Sequence, residues 1–451
     1  MRHLFHFDLK PNGNYGDAIL FELVRQLFNG YGGREKFLVT GSTNLRHPVG
    51  PRKLAWVNGD FDAALLGGGG LMLRSTNANQ NAGWQWNMPL TALESLEVPL
   101  LVFAIGYNRF EGEAEFDPLF TEHINATVEK SAFFGLRNHG SIRQLQRYLR
   151  PDLAGRVSYQ PCPTTVASYL VPDLHVADLE PEKRVGLQVT FEPRNELAGY
   201  RQQQVYGQLL VVAKQLRDQG YELDVISHGM ADDSYHDFLA ENGVTARLVR
   251  LDGANRGVYD GLAYYGRLPL TIGMRGHAQM IPFGMGNGII SVAARDKLRY
   301  FTDDIGHPEL AIDPREGDWS TQVLDLVEAW FGDFAASRAR FAAVRERLWH
   351  TTIDNLGGIS RTLTGDAGDP GPFVPLSPFE RELAMNTYTS SALYDAEAER
   401  SATLRSELKA TRTQLARTEL ALKQREETMA RGGLYVTYSN LRKRVGRLRR
   451  G

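Results

Sequence analysis

The stretch Leu100-Leu-Val-Phe-Ala-Ile105 is apolar without interruption. A strand with one face in water alternates apolar and polar side chains. A run without alternation suits a strand buried on both faces, as in a parallel sheet covered by helices. The flanking sequence agrees. Leu4-Phe-His-Phe7 reads as a strand, the turn Pro11-Asn-Gly-Asn-Tyr-Gly-Asp17 follows, and Ala18–Phe28 carries helical apolar spacing. Ala63-Ala-Leu-Leu66 is a further short strand that stops at four glycines, and Phe133–Leu136 leads into a helix over Ser141–Leu149. After a Pro-punctuated connection at 161–182 the pattern restarts, with strands at Arg184–Val189, Tyr221–Ser227, Arg247–Leu251, Leu268–Ile272 and Ile289–Val292. Helices are expected between them at Gln203–Gln219 and Asp233–Glu241. This predicts an α/β protein of two Rossmann-like domains, over 1–165 and 180–360, facing a cleft. Ligands in such sheets bind beyond the carboxyl ends of the strands.

The 451-residue length accommodates two domains plus extra segments, at about 150 residues per domain. A net charge of −2 gives no global attraction to nucleic acid, and none is expected as a partner. The charge is uneven: residues 380–451 hold 15 Lys/Arg against 9 Asp/Glu, so a basic tail follows an acidic body. The single cysteine, Cys162, excludes an internal disulfide and a cysteine metal cluster. The amino terminus lacks the apolar core of a signal peptide, and no apolar run approaches the ~18–20 residues that span a bilayer. A cytoplasmic protein is expected.

Residues 365–378 form a Pro/Gly linker. Beyond it Leu408, Leu415, Leu422 and Met429 recur every seven residues, predicting a long amphipathic helix or coiled coil within 380–430. That helix is a candidate homo-oligomer contact. The basic tail, 435–451, is a candidate for peripheral contact with anionic membrane, with a solvated end as the alternative.

Four strand ends carry candidate chemistry. Gly67–Gly70, including Gly69 and Gly70, could cradle an anion on exposed N–H groups or simply make a tight packing turn. In Asn14-Tyr-Gly-Asp17, Asn14 and Asp17 could face the cleft, where the carboxylate would take a proton from a sugar hydroxyl. Asp17 could equally cap the first helix. Arg137, after a strand and before a helix, suits a phosphate or an interdomain ion pair. Thr271-Ile-Gly-Met-Arg-Gly-His277 places Arg275, a fixed cation, two residues before His277, a titratable base, with Gly276 giving backbone access between them. Arg295 and Lys297 add cations at the same edge, with a surface salt bridge as their alternative.

In this order, Asn14-Tyr-Gly-Asp17, Gly67–Gly70, Ala104-Ile-Gly106, Arg137…Ser141, Ser227-His-Gly-Met-Ala-Asp-Asp233, Arg275-x-His277 and Lys297 resemble the polysaccharide pyruvyl transferase family over roughly residues 3–315. The resemblance implies a glycosyltransferase-B-like fold and an enzyme that moves the enolpyruvyl unit of phosphoenolpyruvate onto sugar hydroxyls. The product would be a cyclic ketal on a cell-surface polysaccharide or glycolipid precursor, with phosphate released. It also implies that Arg275 binds the donor's carboxylate or phosphate and that His277 is the general acid. Phosphoenolpyruvate would be a substrate; no cofactor and no metal are expected. The chain departs from the family pattern in carrying Arg-Gly-His where relatives carry Arg-Leu-His, and Thr190 where relatives often carry arginine. A nucleotide-sugar glycosyltransferase of the same architecture and a non-catalytic scaffold using its coiled-coil tail are the competing readings.

Overall fold

The computed structural model describes residues 1–9, 14–74, 79–229, 232–251, 257–315, 317–366 and 368–381, with Thr411, Leu415, Thr418 and Lys423. Twelve strands among these form two six-stranded sheets, and every pairing is parallel. The first contains β1 (Arg2–Asp8), β2 (Phe37–Asn44), β3 (Ala63–Met72), β4 (Leu100–Tyr107), β5 (Ser131–Leu136) and β6 (Val157–Tyr159), in the order β2-β1-β3-β4-β5-β6. The second contains β7 (Arg184–Gln188), β8 (Glu222–Ser227), β9 (Arg247–Arg250), β10 (Leu270–Gly273), β11 (Gly288–Val292) and β12 (Ala311–Ile312), in the order β12-β11-β10-β7-β8-β9. Helices alternate with the strands in both halves. The apolar run Leu100–Ile105 lies in β4, whose residues are all buried.

Each sheet grows outward from its first strand in both directions. The chain reverses sense between β1 and β3 in one sheet and between β7 and β10 in the other. Loops at such a switch point diverge and leave a crevice at the carboxyl edge. Apart from the glycine run and Ala104-Ile-Gly106, which lie inside strands, the candidate motifs stand at the ends of strands on these edges.

The glycine run corrects the sequence expectation. It does not end a strand; it lies inside β3, which continues to Met72. Gly68 and Gly69 have φ of 78° and 100°, and the pairing with β4 shifts register between Gly69 and Met72. A Cβ on Gly68 would lie 2.6 Å from the Leu20 side chain, so here the packing alternative applies. β4 is irregular opposite: its register with β5 shifts between Val102 and Ile105, and Ala104 adopts φ 54°. A bulge of this kind re-aims the end of a strand.

The helix Tyr15–Gly30 is buried along its length except at Asp17. The helix Phe334–Thr364 begins beside the second half, where Phe341 packs on Phe283 at 5.1 Å, and ends against the first, where Asn355 Nδ2 donates to Tyr159 O at 2.9 Å. The Pro/Gly segment after it lies along the end of the first helix. Val374 N donates to Gly30 O at 2.9 Å, Gly33 N to Pro372 O at 2.7 Å, and Arg34 pairs with Glu380 at 2.6 Å. Arg381, almost fully buried, pairs with Asp173.

By contacts, Met1–Ala384 is one compact unit and Met385–Gly451 a second. Of the second, Thr411, Leu415, Thr418 and Lys423 are described, each helical and exposed. Otherwise the expected long helix and basic tail lie outside the described residues. Among the described residues no helix is long and apolar enough to cross a membrane.

Candidate active site

Asn14–Asp17, at the start of the first helix, meets the second half of the molecule, and each residue has its own reason to be there. Asn14 is the helix cap: its Oδ1 accepts from Gly16 N at 3.0 Å, and its Nδ2 donates to Asp17 Oδ2 at 3.2 Å. Capping therefore falls to Asn14, and Asp17 is left in the first turn. Tyr15 N donates to His228 O at 2.9 Å, and Tyr15 OH donates to Val258 O at 2.9 Å. The ring occupies the space a Cβ on Gly261 would need. Gly16 meets His277 so closely that a Cβ there would lie 2.3 Å from Nδ1. Asp17 Oδ1 is 4.0 Å from the same nitrogen.

The opposing wall is built at the switch point of the second sheet. Gln188, the last residue of β7, accepts from Arg275 N at 2.8 Å through Oε1 and donates to Asp232 Oδ2 at 3.0 Å through Nε2. Asp232, fully buried, receives Arg275 bidentately, with Nη2 at 2.7 Å and Nε at 3.0 Å. Arg275 Nη1 is 3.8 Å from Glu192. Glu192 also pairs with Arg295 at 3.0 Å and Arg194 at 3.1 Å. His277 opens the helix His277–Gly284 after Gly276, the cap. Gly276 has φ −56°, which any residue adopts, and a Cβ there would touch only Lys297, at 3.7 Å. The glycine leaves room rather than relieving backbone strain.

Between the walls lies a cleft of about 180 Å³ that opens to solvent. The structure brings Asn14, Asp17, Gly70, Arg137, Arg275, Gly276, His277 and Lys297 together on its lining. Gly69 is the exception; it remains within β3, near leucine side chains. Arg295 and His228, the latter from the Ser227–Asp233 piece, also line it, while Arg46, Gln85, Asn108, Phe110 and Glu192 do so without having been marked by any sequence motif.

Arg137 is buried to 6 % exposure, and Gly106 makes room for it, since a Cβ there would lie 2.4 Å from its Nε. That Nε has no hydrogen-bond partner among the described residues. No described carboxylate lies within ion-pair distance of Arg137 or Lys297. Burial, then Arg295, Arg137 and Arg275, push the Lys297 ammonium well below its ordinary value. Burial, followed by Arg137 and Lys297, likewise holds His277 well below the imidazole range. Burial raises Asp17, against the pull of Lys297, Arg46 and Arg137. Burial would raise Glu192 too, but Arg295, Arg275 and Arg194 hold it down at about 2. The cleft therefore has a surplus of cations facing open space, the electrostatic signature of an anion site.

Residues 14–287 match the family model for polysaccharide pyruvyl transferase. The chain belongs to the polysaccharide pyruvyl transferase family. The match spans both cleft walls up to the helix that His277 opens, while Arg295 and Lys297 lie just beyond it. The membership makes the protein a transferase by family. Its fold is glycosyltransferase-B-like. S. aureus MnaA, in a co-structure with UDP, superposes with a TM-score of 0.50 at 11 % identity, covering 83 % of this chain and 100 % of that one. A Listeria monocytogenes protein described as a UDP-N-acetylglucosamine 2-epimerase gives a TM-score of 0.50 at 11 % identity, covering 83 % and 99 %. At that identity the likeness concerns the fold alone. No curated protein matches the chain.

Proposed function

We propose that this protein transfers the enolpyruvyl unit of phosphoenolpyruvate to two hydroxyls of a sugar, forming a cyclic ketal and releasing phosphate. The observation that carries the reading is the pairing of His277 with two cations, Arg137 from the first sheet and Lys297 from the second, that lack a carboxylate partner among the described residues. A carboxylate and a phosphate on one small donor match such a site. In the free protein burial, and after it the neighbouring cations, hold His277 well below the imidazole range. The donor's negative charge opposes the cations' share of that shift, so the imidazole takes up a proton from solvent more readily once the donor is bound.

Protonation of the donor's methylene carbon by His277 turns it into a methyl group and leaves an oxocarbenium-like centre. The first sugar hydroxyl attacks it, and its proton passes to Asp17 and back to His277, 4.0 Å away. The second hydroxyl then displaces phosphate, which carries off the second proton. Arg275, fixed on Asp232, orients the wall and adds positive potential rather than serving as the principal anion ligand. The acceptor is a cell-surface polysaccharide or glycolipid precursor, and the basic carboxyl-terminal segment would hold the enzyme near lipid-linked acceptors. Liposome flotation should weaken when residues 382–451 are removed; undiminished flotation contradicts that docking role.

The test of the reaction is phosphate release from phosphoenolpyruvate in the presence of a glycan panel. Release should require acceptor and fall by ~10²–10⁴ in His277→Ala, the usual contribution of a positioned acid. Turnover of a nucleotide sugar instead overturns the donor assignment, and inactivity with every donor favours a non-catalytic scaffold.

A further inference from the structure

The protein's own packing does not explain the glycine at position 276. Its φ of −56° and ψ of −48° are helical, and its carbonyl oxygen accepts from Gln279 N at 3.1 Å and from Met280 N at 2.9 Å. In that conformation alanine is more stable than glycine. Other glycines around the cleft are explained by their neighbours. A Cβ on Gly16 would lie 2.3 Å from His277 Nδ1, on Gly106 2.4 Å from Arg137 Nε, and on Gly273 2.4 Å from Gln279 Nε2. On Gly276 the nearest atoms are Cε and Cδ of Lys297, at 3.7 and 3.8 Å, which is ordinary contact. The side chain is missing where the fold would accept one and the helix would gain from it. Its absence therefore serves something that enters from outside.

The space beside Gly276 opens on the cleft, next to His277. Its nearest borders are carbon: the glycine Cα and two methylene groups of the Lys297 stem. The preceding residue, Arg275, has its charge matched by Asp232, bidentately at 2.7 and 3.0 Å. An anion gains nothing from methylene groups, and the unmatched guanidinium of Arg137 offers it a better place. A small carbon surface among polar groups suits instead the C–H face of a pyranose ring, whose hydroxyls point outward to those groups. The acceptor ring is also the bulkier of the two reactants. The reaction needs its hydroxyls near His277 and Asp17, which stand 4.0 Å apart.

We propose that Gly276 is a specificity-determining residue of the cleft: its missing side chain is the space in which the ring of the acceptor sugar seats, C–H face against the glycine Cα and the Lys297 stem. The assignment deepens the ketal-forming reading above and rests on it for the identity of the reaction. A methyl group at this position intrudes on the ring, and a branched side chain fills its seat. Neither change removes a charge or a hydrogen bond of the protein. The donor, held through charge by Arg137 and Lys297, is left in place, so the two substrates respond differently to the same substitution.

The experiment compares the full chain with Gly276→Ala and Gly276→Leu. Methyl hexopyranosides are followed by saturation-transfer NMR, and inorganic phosphate and phosphoenolpyruvate by calorimetry. At least one hexopyranoside should bind the wild type. Its affinity should fall about three- to tenfold in Gly276→Ala and about tenfold or more in Gly276→Leu, the scale on which one misfitted methylene acts. Phosphate and phosphoenolpyruvate affinities should stay within about twofold. Gly276→Ala should melt no lower than the wild type, because the conformation suits alanine, so sugar binding lost in that variant is not lost fold. In turnover the acceptor KM should rise while the KM for phosphoenolpyruvate does not. Sugar binding that is absent, or unchanged in both variants, overturns the proposal, as does a parallel loss of sugar and phosphoenolpyruvate binding. Sugar binding that depends on Gly276 in a protein releasing no phosphate from phosphoenolpyruvate would leave the seat standing and remove the donor assignment, so the two failures are distinct.

Discussion

On the second-sheet wall of the cleft Arg275 meets Asp232 at 2.7 Å and Arg295 meets Glu192 at 3.0 Å. On the first-sheet wall Arg137 is equally sequestered from solvent yet meets no carboxylate within ion-pair distance among the described residues. The same side chain thus has two uses. A matched arginine holds the wall together and sets the potential, while an unmatched one keeps its hydrogen-bonding capacity for something that arrives from outside. Lys297 joins Arg137 in the second group although it stands on the opposite wall.

The comparison predicts that removing a partner and removing an unmatched cation have opposite signatures. Asp232→Asn strands a largely buried guanidinium and should destabilise the fold by about 3 kcal/mol or more, visible in urea denaturation. A loss under about 1 kcal/mol would mean that the pair is superfluous. Arg137→Ala should do the reverse: phosphate affinity falls about 10- to 100-fold while the melting temperature holds or rises, because an uncompensated buried charge is gone. Arg137→Lys should recover only part of the binding, since an ammonium lacks the fork of a guanidinium. A destabilised Arg137→Ala with intact phosphate binding would erase the distinction between the walls.

A subtler break comes from the contact that brings the walls together. Gly16→Ala places a Cβ 2.3 Å from His277 Nδ1, so the first helix or the imidazole must shift. Overpacking of this kind costs about 1–3 kcal/mol. Turnover should drop about tenfold or more, with phosphate binding less affected; unchanged turnover would show that the position of His277 is not critical. The smallest effect concerns imidazoles kept neutral in the interior. Burial holds His123 at about 4 and His228 at about 3. Below the ordinary imidazole value of about 6.5 the unfolded chain binds protons that the folded chain does not. Stability should therefore fall as pH drops from about 6.5 toward about 4. A melting temperature indifferent to pH between 7 and 5 would contradict this.

Much of the fold was legible because its signal is local. The unbroken run at Leu100–Ile105 and the restart at Arg184 each report a strand's burial in a few residues. Gly67–Gly70 misled because a glycine run reads as a turn, whereas β3 continues through it by pairing with β4, Gly69 with Ile105 and Met72 with Tyr107. β2, Phe37–Asn44, passed unnoticed because it is polar for half its length and only partly buried, so it lacks an apolar run. In the site, the motif residues were legible but the partners that hold them were not. Arg275 was expected to hold the donor's anion, and its contact with Asp232, 43 residues away, could not be read from the sequence. Arg137 had an interdomain ion pair as its alternative, and among the described residues it meets no carboxylate within ion-pair distance. Glu192, Arg46 and Asn108 stand in loops with no spacing to mark them, and only the meeting of two sheets gathers them.

The most direct test of the account is acceptor-dependent release of phosphate from phosphoenolpyruvate, measured side by side for the wild type, His277→Ala and Arg137→Ala. The account predicts release by the wild type only when a sugar acceptor is present, near-complete loss in His277→Ala, and a raised KM for phosphoenolpyruvate in Arg137→Ala. Release that continues unchanged in both variants, or that occurs only from a nucleotide sugar, would contradict it.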